Sequence, residues 1–328
     1  MVYSDRETSL AQENLCIAIA RFDGTKSWVQ EYSCPRQPMT VLACLNFIRE
    51  HQDQTLVFNE ACRHAICGSC AVVVNGSACL ACETQVEDLI ELYETTRLFL
   101  SPLRGFPVLR DLAVDFDAKV EQMQTVEPWL HAYTDRTDSC QSREQLDRYE
   151  KATECILCGI CASSCCEMAF DEGGYLAPFV MNKAFRFERD SRDEHGNGVR
   201  LKAVIASDLW KCLHCQQCTT KCPKGIPVSE EIATLRRQAL SRGFSEGMGP
   251  RHARVFYNDA YKWGRLSETE LALVTEGPLG VLKNRVPFTM RMIARGKMNP
   301  LKVHPPCVHG IEGVRTLYRF AQTMDEDT

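Results

Sequence analysis

From Leu15 to Ser33 apolar and polar positions alternate with a period of two, as half-buried strands do. LCIAIARF (15–22) and residues 28–33 flank an Asp23-Gly24 turn, so the stretch reads as a β-hairpin. The period then lengthens. Val41, Leu42, Leu45 and Ile48 share one face of a helix that Thr40 caps and that runs to about Glu50. AVVV (71–74) followed by Asn75-Gly76 predicts a short apolar strand and a hairpin turn. These elements predict a compact α+β unit ending near Trp129.

From about residue 140 the spacing becomes helical, in LDRYEKA, APFVMNKAFRFE, LKAVIASDL and EEIATLRRQAL, with polar or cysteine-rich segments between them. Charged ERDSRDEHGNG (188–198) reads as a solvated loop between helices. Beyond Gly243 the chain shows no cluster spacing and one cysteine, Cys307, expected to be unliganded. At 328 residues the chain has the length of more than one domain. A net charge of −5 gives no reason to expect a nucleic-acid partner. No stretch reaches the roughly eighteen uninterrupted apolar residues of a membrane span, and the N-terminus lacks the apolar core of an export signal. The expectation is a soluble, cytosolic chain, or one held on a membrane by partners.

Nineteen cysteines change the picture most. A disulfide framework suits short exported chains, whereas clustered cysteines in a reducing compartment bind metal. CRHAICGSC (62–70) gives C-x4-C-x2-C, with Cys82 after a further eleven residues. That is the plant-type [2Fe–2S] spacing, which assigns Cys62, Cys67, Cys70 and Cys82 as ligands. Soft thiolates suit iron, and Gly68 and Ser69 keep the loop small enough for backbone N–H groups to approach sulfur. Cys79 is the alternative to Cys82 and reads as a small buried residue.

Two further runs, 155–165 and 212–222, each spell C-x2-C-x2-C-x3-C. In two-cluster ferredoxins the fourth cysteine of each run serves the other cluster. The second cluster then takes Cys155, Cys158, Cys161 and Cys222 as a [4Fe–4S] site. The third takes Cys165, Cys212 and Cys218, with Cys215 available as fourth ligand. Structural zinc is the competing reading, since CxxC pairs also make zinc sites, but zinc has no need of the repeated triple spacing. His64 and His214 sit inside the cysteine loops, as hydrogen-bonding neighbours of sulfur or as bystanders. Three clusters without a dinucleotide loop or a triad make an electron wire with no substrate site of its own.

Through CRHAICGSC, LACET, VLRDLAVD (108–115), ECILCGIC and KCPKG, over roughly residues 13–242, the chain resembles the iron–sulfur subunit of succinate dehydrogenase and fumarate reductase. The resemblance implies a plant-type ferredoxin-like (β-grasp) domain over 13–129 and an all-helical bacterial-ferredoxin-type domain over 140–242. It leaves 243–328 as a C-terminal extension for docking to a partner or membrane. It also implies a flavoprotein partner that interconverts succinate and fumarate at FAD, and a peripheral place on the cytoplasmic side of the membrane.

Three departures from the common family pattern point to its non-classical, type E branch. Cys215 stands where most members have no cysteine, which favours [4Fe–4S] over [3Fe–4S] for the third cluster. CCEMAF places Cys166, Ala169 and Phe170 where proline and quinone-pocket tryptophans are usual, and Cys166 competes with Cys165 as ligand. Leu213 replaces a usual histidine. The implied membrane partner carries a cysteine-rich CCG domain and couples to quinone. Between Gly277 and Ile311 there are six Lys or Arg and no acid, a stretch that lies on anionic lipid, covers a partner, or is plain solvated surface. The alternative function is a linker subunit of another flavoprotein complex, heterodisulfide-reductase-like, or a general ferredoxin carrier.

Overall fold

The computed structural model describes residues 14–131, 139–170, 174–194, 198–297 and 304–326. Residues 195–197 of the expected charged loop and 298–303 of the basic stretch lie outside them.

The alternating stretch forms β1 (Leu15–Phe22) and β2 (Ser27–Cys34), antiparallel, with Leu15 opposite Cys34 and Phe22 opposite Ser27. The Asp23 carboxylate holds the turn by accepting the N–H groups of Thr25 and Lys26, each at 2.8 Å. Helix α1 (Val41–His51) begins where Thr40 accepts the N–H of Ala43, and it buries Val41, Leu42, Cys44, Leu45 and Ile48. Strands β3 (Ala71–Val74) and β4 (Ser77–Leu80) meet at Asn75-Gly76, whose φ angles of 46° and 86° are those a two-residue type I′ turn needs. Helix α2 (Val86–Tyr93) leads into β5 (Arg97–Ser101), which runs parallel to β1 and antiparallel to β3. The sheet order is β2-β1-β5-β3-β4. A short ribbon, β6 (Val108–Arg110) and β7 (Ala113–Val114), and helix α3 (Asp117–Gln124) complete this part.

Asp111, in the ribbon's turn at φ 46° and 1% exposed, fastens three segments. Its carboxylate accepts from Arg21 Nε at 2.8 Å, from the N–H of Phe22 at 3.0 Å and from the N–H of Val57 at 2.8 Å. Burial opposes the charge on Arg21, but Asp111 and Asp53 outweigh it and hold the guanidinium above its ordinary range.

From residue 139 onward the described residues carry helices and no strand. They are α4 (Arg143–Asp147), α5 (Glu150–Thr153), α6 (Ile160–Ser163), α7 (Pro178–Glu188), α8 (Val199–Ala206), α9 (Gln217–Thr220) and α10 (Val228–Ser241). LDRYEKA does not form one helix. It breaks at Tyr149 (φ −145°), which turns inward to 2% exposure and donates its hydroxyl to Gln141 at 2.6 Å.

The expected solvated loop is also corrected. Asp190 and Asp193 are 3% and 2% exposed, and both are ion-paired. Asp190 accepts Nε and Nη2 of Arg192 at 2.9 Å each. Arg200, wholly buried, grips both oxygens of Asp193 at 2.9 Å and donates to the carbonyls of Glu127 and Trp129. Charges at this depth need partners, and the chain supplies them two residues on for Asp190 and seven residues on for Asp193.

The chain divides into two compact units, the first through Arg236 and the second from Arg237. The second is built from α11 (Met248–Trp263), α12 (Glu268–Asn284, kinked at Gly277), α13 (Val286–Ala294) and α14 (Ile311–Glu326), with α11 packed on α12 and α14. Ser267 caps α12, and buried Asp259 accepts the N–H of Ser267 at 2.8 Å. No described helix is long and apolar enough to cross a membrane.

Candidate cluster-binding sites

Residues 62–70 form a loop wrapped around sulfur. The Cys62 Sγ accepts N–H groups from Cys67 at 3.3 Å and from His64 and Ile66 at 3.4 Å, while Ala65 donates to Cys82 Sγ at 3.3 Å. Arg63 and Ala65 lie in the left-handed region, at φ 60° and 54°, and Gly68 at 76°. Such turns aim successive N–H groups at one point and make a nest for an anion. Each non-glycine residue held there costs about 1–2 kcal/mol, so the shape is one that a negatively charged occupant offsets. The His64 and Ile66 N–H groups draw the Cys62 thiol down to about 6. Burial pushes Cys70 up to about 12, with the Cys82 and Cys67 thiols adding to it. Cys79, on β4, is raised by burial and has Thr84 and Lys221 as neighbours. The His64 ring bonds the Cys62 carbonyl, and it is the backbone N–H groups of His64 and His214 that donate to sulfur, His214 to Cys212 Sγ at 3.4 Å.

The two later runs surround two apolar cavities. Cys155, Cys158, Cys161 and Cys222 line one, walled by Phe179, Ile226 and Val228. Burial raises Cys158 to about 11 and lifts Cys155 and Cys161 as well. Cys165, Cys212, Cys215 and Cys218 line the other, the third cavity in the order of the expected clusters, and Cys166 joins them. Burial pushes Cys218 up to about 12. Thiols raised this far are costly to ionise alone and are deprotonated by a bound metal.

The runs repeat each other in backbone as well as in spacing. Leu157 and Gly159 have φ 56° and 77°, and His214 and Gln216 have 54° and 63°. In each run a four-residue helix carrying the third cysteine follows, α6 with Cys161 and α9 with Cys218. Cys215 therefore occupies in its run the place that Cys158 occupies in its own. Sequence reasoning had no handle on these left-handed residues, because four of the five non-glycines among them carry side chains that give no turn signal. Among the described residues no three Cys, His, Asp or Glu side chains converge on one metal ion. Each cavity takes thiols from both runs, Cys222 joining Cys155, Cys158 and Cys161, and Cys165 joining Cys212, Cys215 and Cys218.

Gly68 brings the first loop onto the 155–165 run, the second cysteine run along the chain. A Cβ at this position would lie 2.8 Å from Cys158 Cβ, 2.9 Å from Cys158 Cα and 3.0 Å from the Ile156 oxygen.

Glu231, on α10 and 4% exposed, accepts from Asn182 Nδ2 at 2.9 Å, Asn182 being part of the wall of the first cavity. Burial lifts its carboxyl from 4.5 to about 7. The folded state thus holds this proton more tightly than the unfolded one, and stability falls as pH rises from 4.5 through 7. Glu231→Gln is expected to leave the melting temperature nearly unchanged at low pH and to raise it above pH 7, as thermal denaturation at several pH values would read.

Comparison with known proteins gives these sites their context. Residues 16–121 match the model of a 2Fe-2S iron-sulfur cluster binding domain, and residues 151–226 that of a 4Fe-4S dicluster domain. The protein is thus an iron–sulfur electron-transfer component of an oxidoreductase. It is 40% identical over 310 residues to the 8-methylmenaquinol:fumarate reductase iron-sulfur subunit of Wolinella succinogenes, covering 92% of this chain and 96% of that one. It is 35% identical over 225 residues to the mitochondrial succinate dehydrogenase (ubiquinone) iron-sulfur subunit of Dictyostelium discoideum, covering 64% and 76%. A chain of the Mycobacterium smegmatis Sdh1 complex in the apo form shares the fold, with a TM-score of 0.65 at 21% identity over 71% of this chain and 98% of that one. The chain belongs to the family of iron–sulfur subunits of succinate dehydrogenase and fumarate reductase.

Proposed function

We propose that the chain holds three clusters in series between a flavoprotein and a membrane-associated partner. Cys62, Cys67, Cys70 and Cys82 hold a [2Fe–2S] cluster. Cys155, Cys158, Cys161 and Cys222 hold a [4Fe–4S] cluster, and Cys165, Cys212, Cys215 and Cys218 a second one. Bound clusters of these types take up and release single electrons at potentials set by cluster type, charge and surrounding hydrogen bonds. The chain's own residues set those surroundings: N–H groups aimed at Cys62 and Cys82, and apolar walls around the two later cavities. The observation that carries the reading is the repeated backbone of the two runs, which supports giving Cys215 the same ligand role as Cys158. The sheet order, with β5 parallel to β1 and α1 packed between strands in sequence, supports a β-grasp description of the first domain.

The ends of the wire belong to partners. An FAD subunit that interconverts succinate and fumarate supplies or takes electrons at the first cluster. The third cavity lies near the surface, its lining residue Leu213 being 69% exposed, and there a membrane-associated subunit, CCG-domain-like and quinone-coupled, exchanges them. The alignment to the Wolinella subunit is long enough that it must run through most of residues 243–328. This supports a docking role for the extension, whose α13 exposes Phe288, Met290 and Ile293 among basic residues. The complex then sits on the cytoplasmic side of the membrane, held by its partners.

Low-temperature EPR tests the third cluster. The oxidised protein is expected to show no three-iron signal and, once reduced, to show four-iron signals. A strong three-iron signal in the oxidised wild type overturns the assignment of Cys215. Co-purification tests the partner: a flavoprotein carrying FAD should accompany the tagged chain, and its absence from a membrane-derived preparation argues for a free carrier instead.

A further inference from the structure

Five thiols line the third cavity, one more than the corners of a four-iron cluster. The surplus is not spread evenly. Cys166 Sγ lies 3.7 Å from Cys215 Sγ. A [4Fe–4S] cluster takes four thiolates, one to each iron. Thiolates on different corners of a cluster must stand farther apart, since the irons between them are themselves separated. The Cys166–Cys215 spacing therefore belongs to a single corner. Cys165, Cys212 and Cys218 surround the rest of the cavity with Tyr175.

We infer that Cys166 and Cys215 are alternative ligands to one and the same corner iron of the third cluster, one bound and one free at any time. The inference rests on the reading above that this cavity holds a four-iron cluster. It also separates Cys166 from Cys165: the two are adjacent in sequence but serve different corners. Cys215 is exposed and Cys166 half-buried, so exchange takes place at the outer side of the cavity without repacking the core. The exchange balances without an external reagent. The entering thiol gives up its proton as its sulfur binds iron, the leaving thiolate takes a proton up, and no electron moves. The corner iron at this exposed end of the wire thus keeps a reserve ligand.

EPR of the full-length holoprotein carrying Cys166→Ala, Cys215→Ala or both tests this, alongside iron content. Each single variant is expected to keep the four-iron cluster, and the double variant to show the oxidised three-iron signal with one iron fewer per chain. A three-iron signal in Cys215→Ala alone overturns the shared corner while leaving Cys215 as ligand; one in Cys166→Ala alone overturns it in favour of Cys166. A three-iron signal in the wild type removes the underlying reading instead. Alkylation of the wild-type holoprotein, followed by peptide mapping, needs no variant to fold. Label should divide between Cys166 and Cys215 with a total near one per chain. Label confined to either one, on neither, or on both in full, overturns the inference.

Discussion

Arg200→Ala is expected to lower the free energy of unfolding by about 3–5 kcal/mol, the usual range for stripping a buried charge of its partner. The guanidinium is wholly buried and makes four hydrogen bonds, two to Asp193 and one each to the carbonyls of Glu127 and Trp129. Without it, the 2%-exposed carboxylate of Asp193 loses its bidentate partner and the 127–129 segment loses its tether. Arg200→Lys should recover little, since an ammonium cannot reproduce the planar fork. Arg200→Leu combined with Asp193→Leu should recover part of the loss, because an apolar pair leaves no orphaned charge. Denaturant unfolding of the three variants gives the ranking; a single Arg200→Ala variant with wild-type stability would show that the pair contributes nothing.

The second large effect is expected at Gly68→Ala. Two costs add there: a left-handed backbone at φ 76°, about 1–2 kcal/mol for a residue with a Cβ, and overpacking of about 1–3 kcal/mol. The atoms in the way are the Cα and Cβ of Cys158 and the Ile156 carbonyl, none of them the far end of a flexible side chain. The first loop must therefore withdraw from the second run. Gly105→Ala is the control, because Gly105 has the same φ of 76° and nothing within 4 Å of an added Cβ. Gly105→Ala should cost only the backbone term. Gly68→Ala should cost more, release iron faster to a chelator and slow electron passage from the first cluster to the second, as rapid-freeze EPR after reduction would show. Equal behaviour of the two variants would mean that the contact at Cys158 is not tight.

The elements legible in the sequence were those whose signals are local. Thr40 caps α1, Asn75-Gly76 turns the β3–β4 hairpin, and the period-two run makes β1 and β2, each through residues near in the chain. The cysteine spacings were legible for the same reason. What escaped depended on partners far along the chain. ERDSRDEHGNG looks solvated by composition, but Arg200 and the N–H of His131, both outside it in the chain, bond Asp193 and offset its burial. Tyr149 breaks a helix that its neighbours favour because its ring finds a buried place beside Arg186. In the cysteine loops Arg63, Ala65, Leu157, His214 and Gln216 adopt positive φ without being glycine. No sequence rule anticipates that, since the conformation is imposed by what the loop encloses. The proximity of Cys166 to Cys215 likewise needs two runs folded against each other.

The crossing of cysteines between runs sets a timetable for biosynthesis. Strand β1 is fastened to the β6–β7 ribbon once Asp111 has been made, since Asp111 bonds Arg21 ninety positions earlier. The cavity of Cys155, Cys158 and Cys161 has no fourth thiol until Cys222 follows. At about 5–20 residues per second, the interval between those two residues is roughly 6–20 s. For most of that interval a nascent chain presents all four thiols of the plant-type site and two incomplete cavities; the cavity of Cys165, Cys212, Cys215 and Cys218 then gains its last thiol four residues before the one that waits for Cys222, so the sites are finished out of their order along the chain.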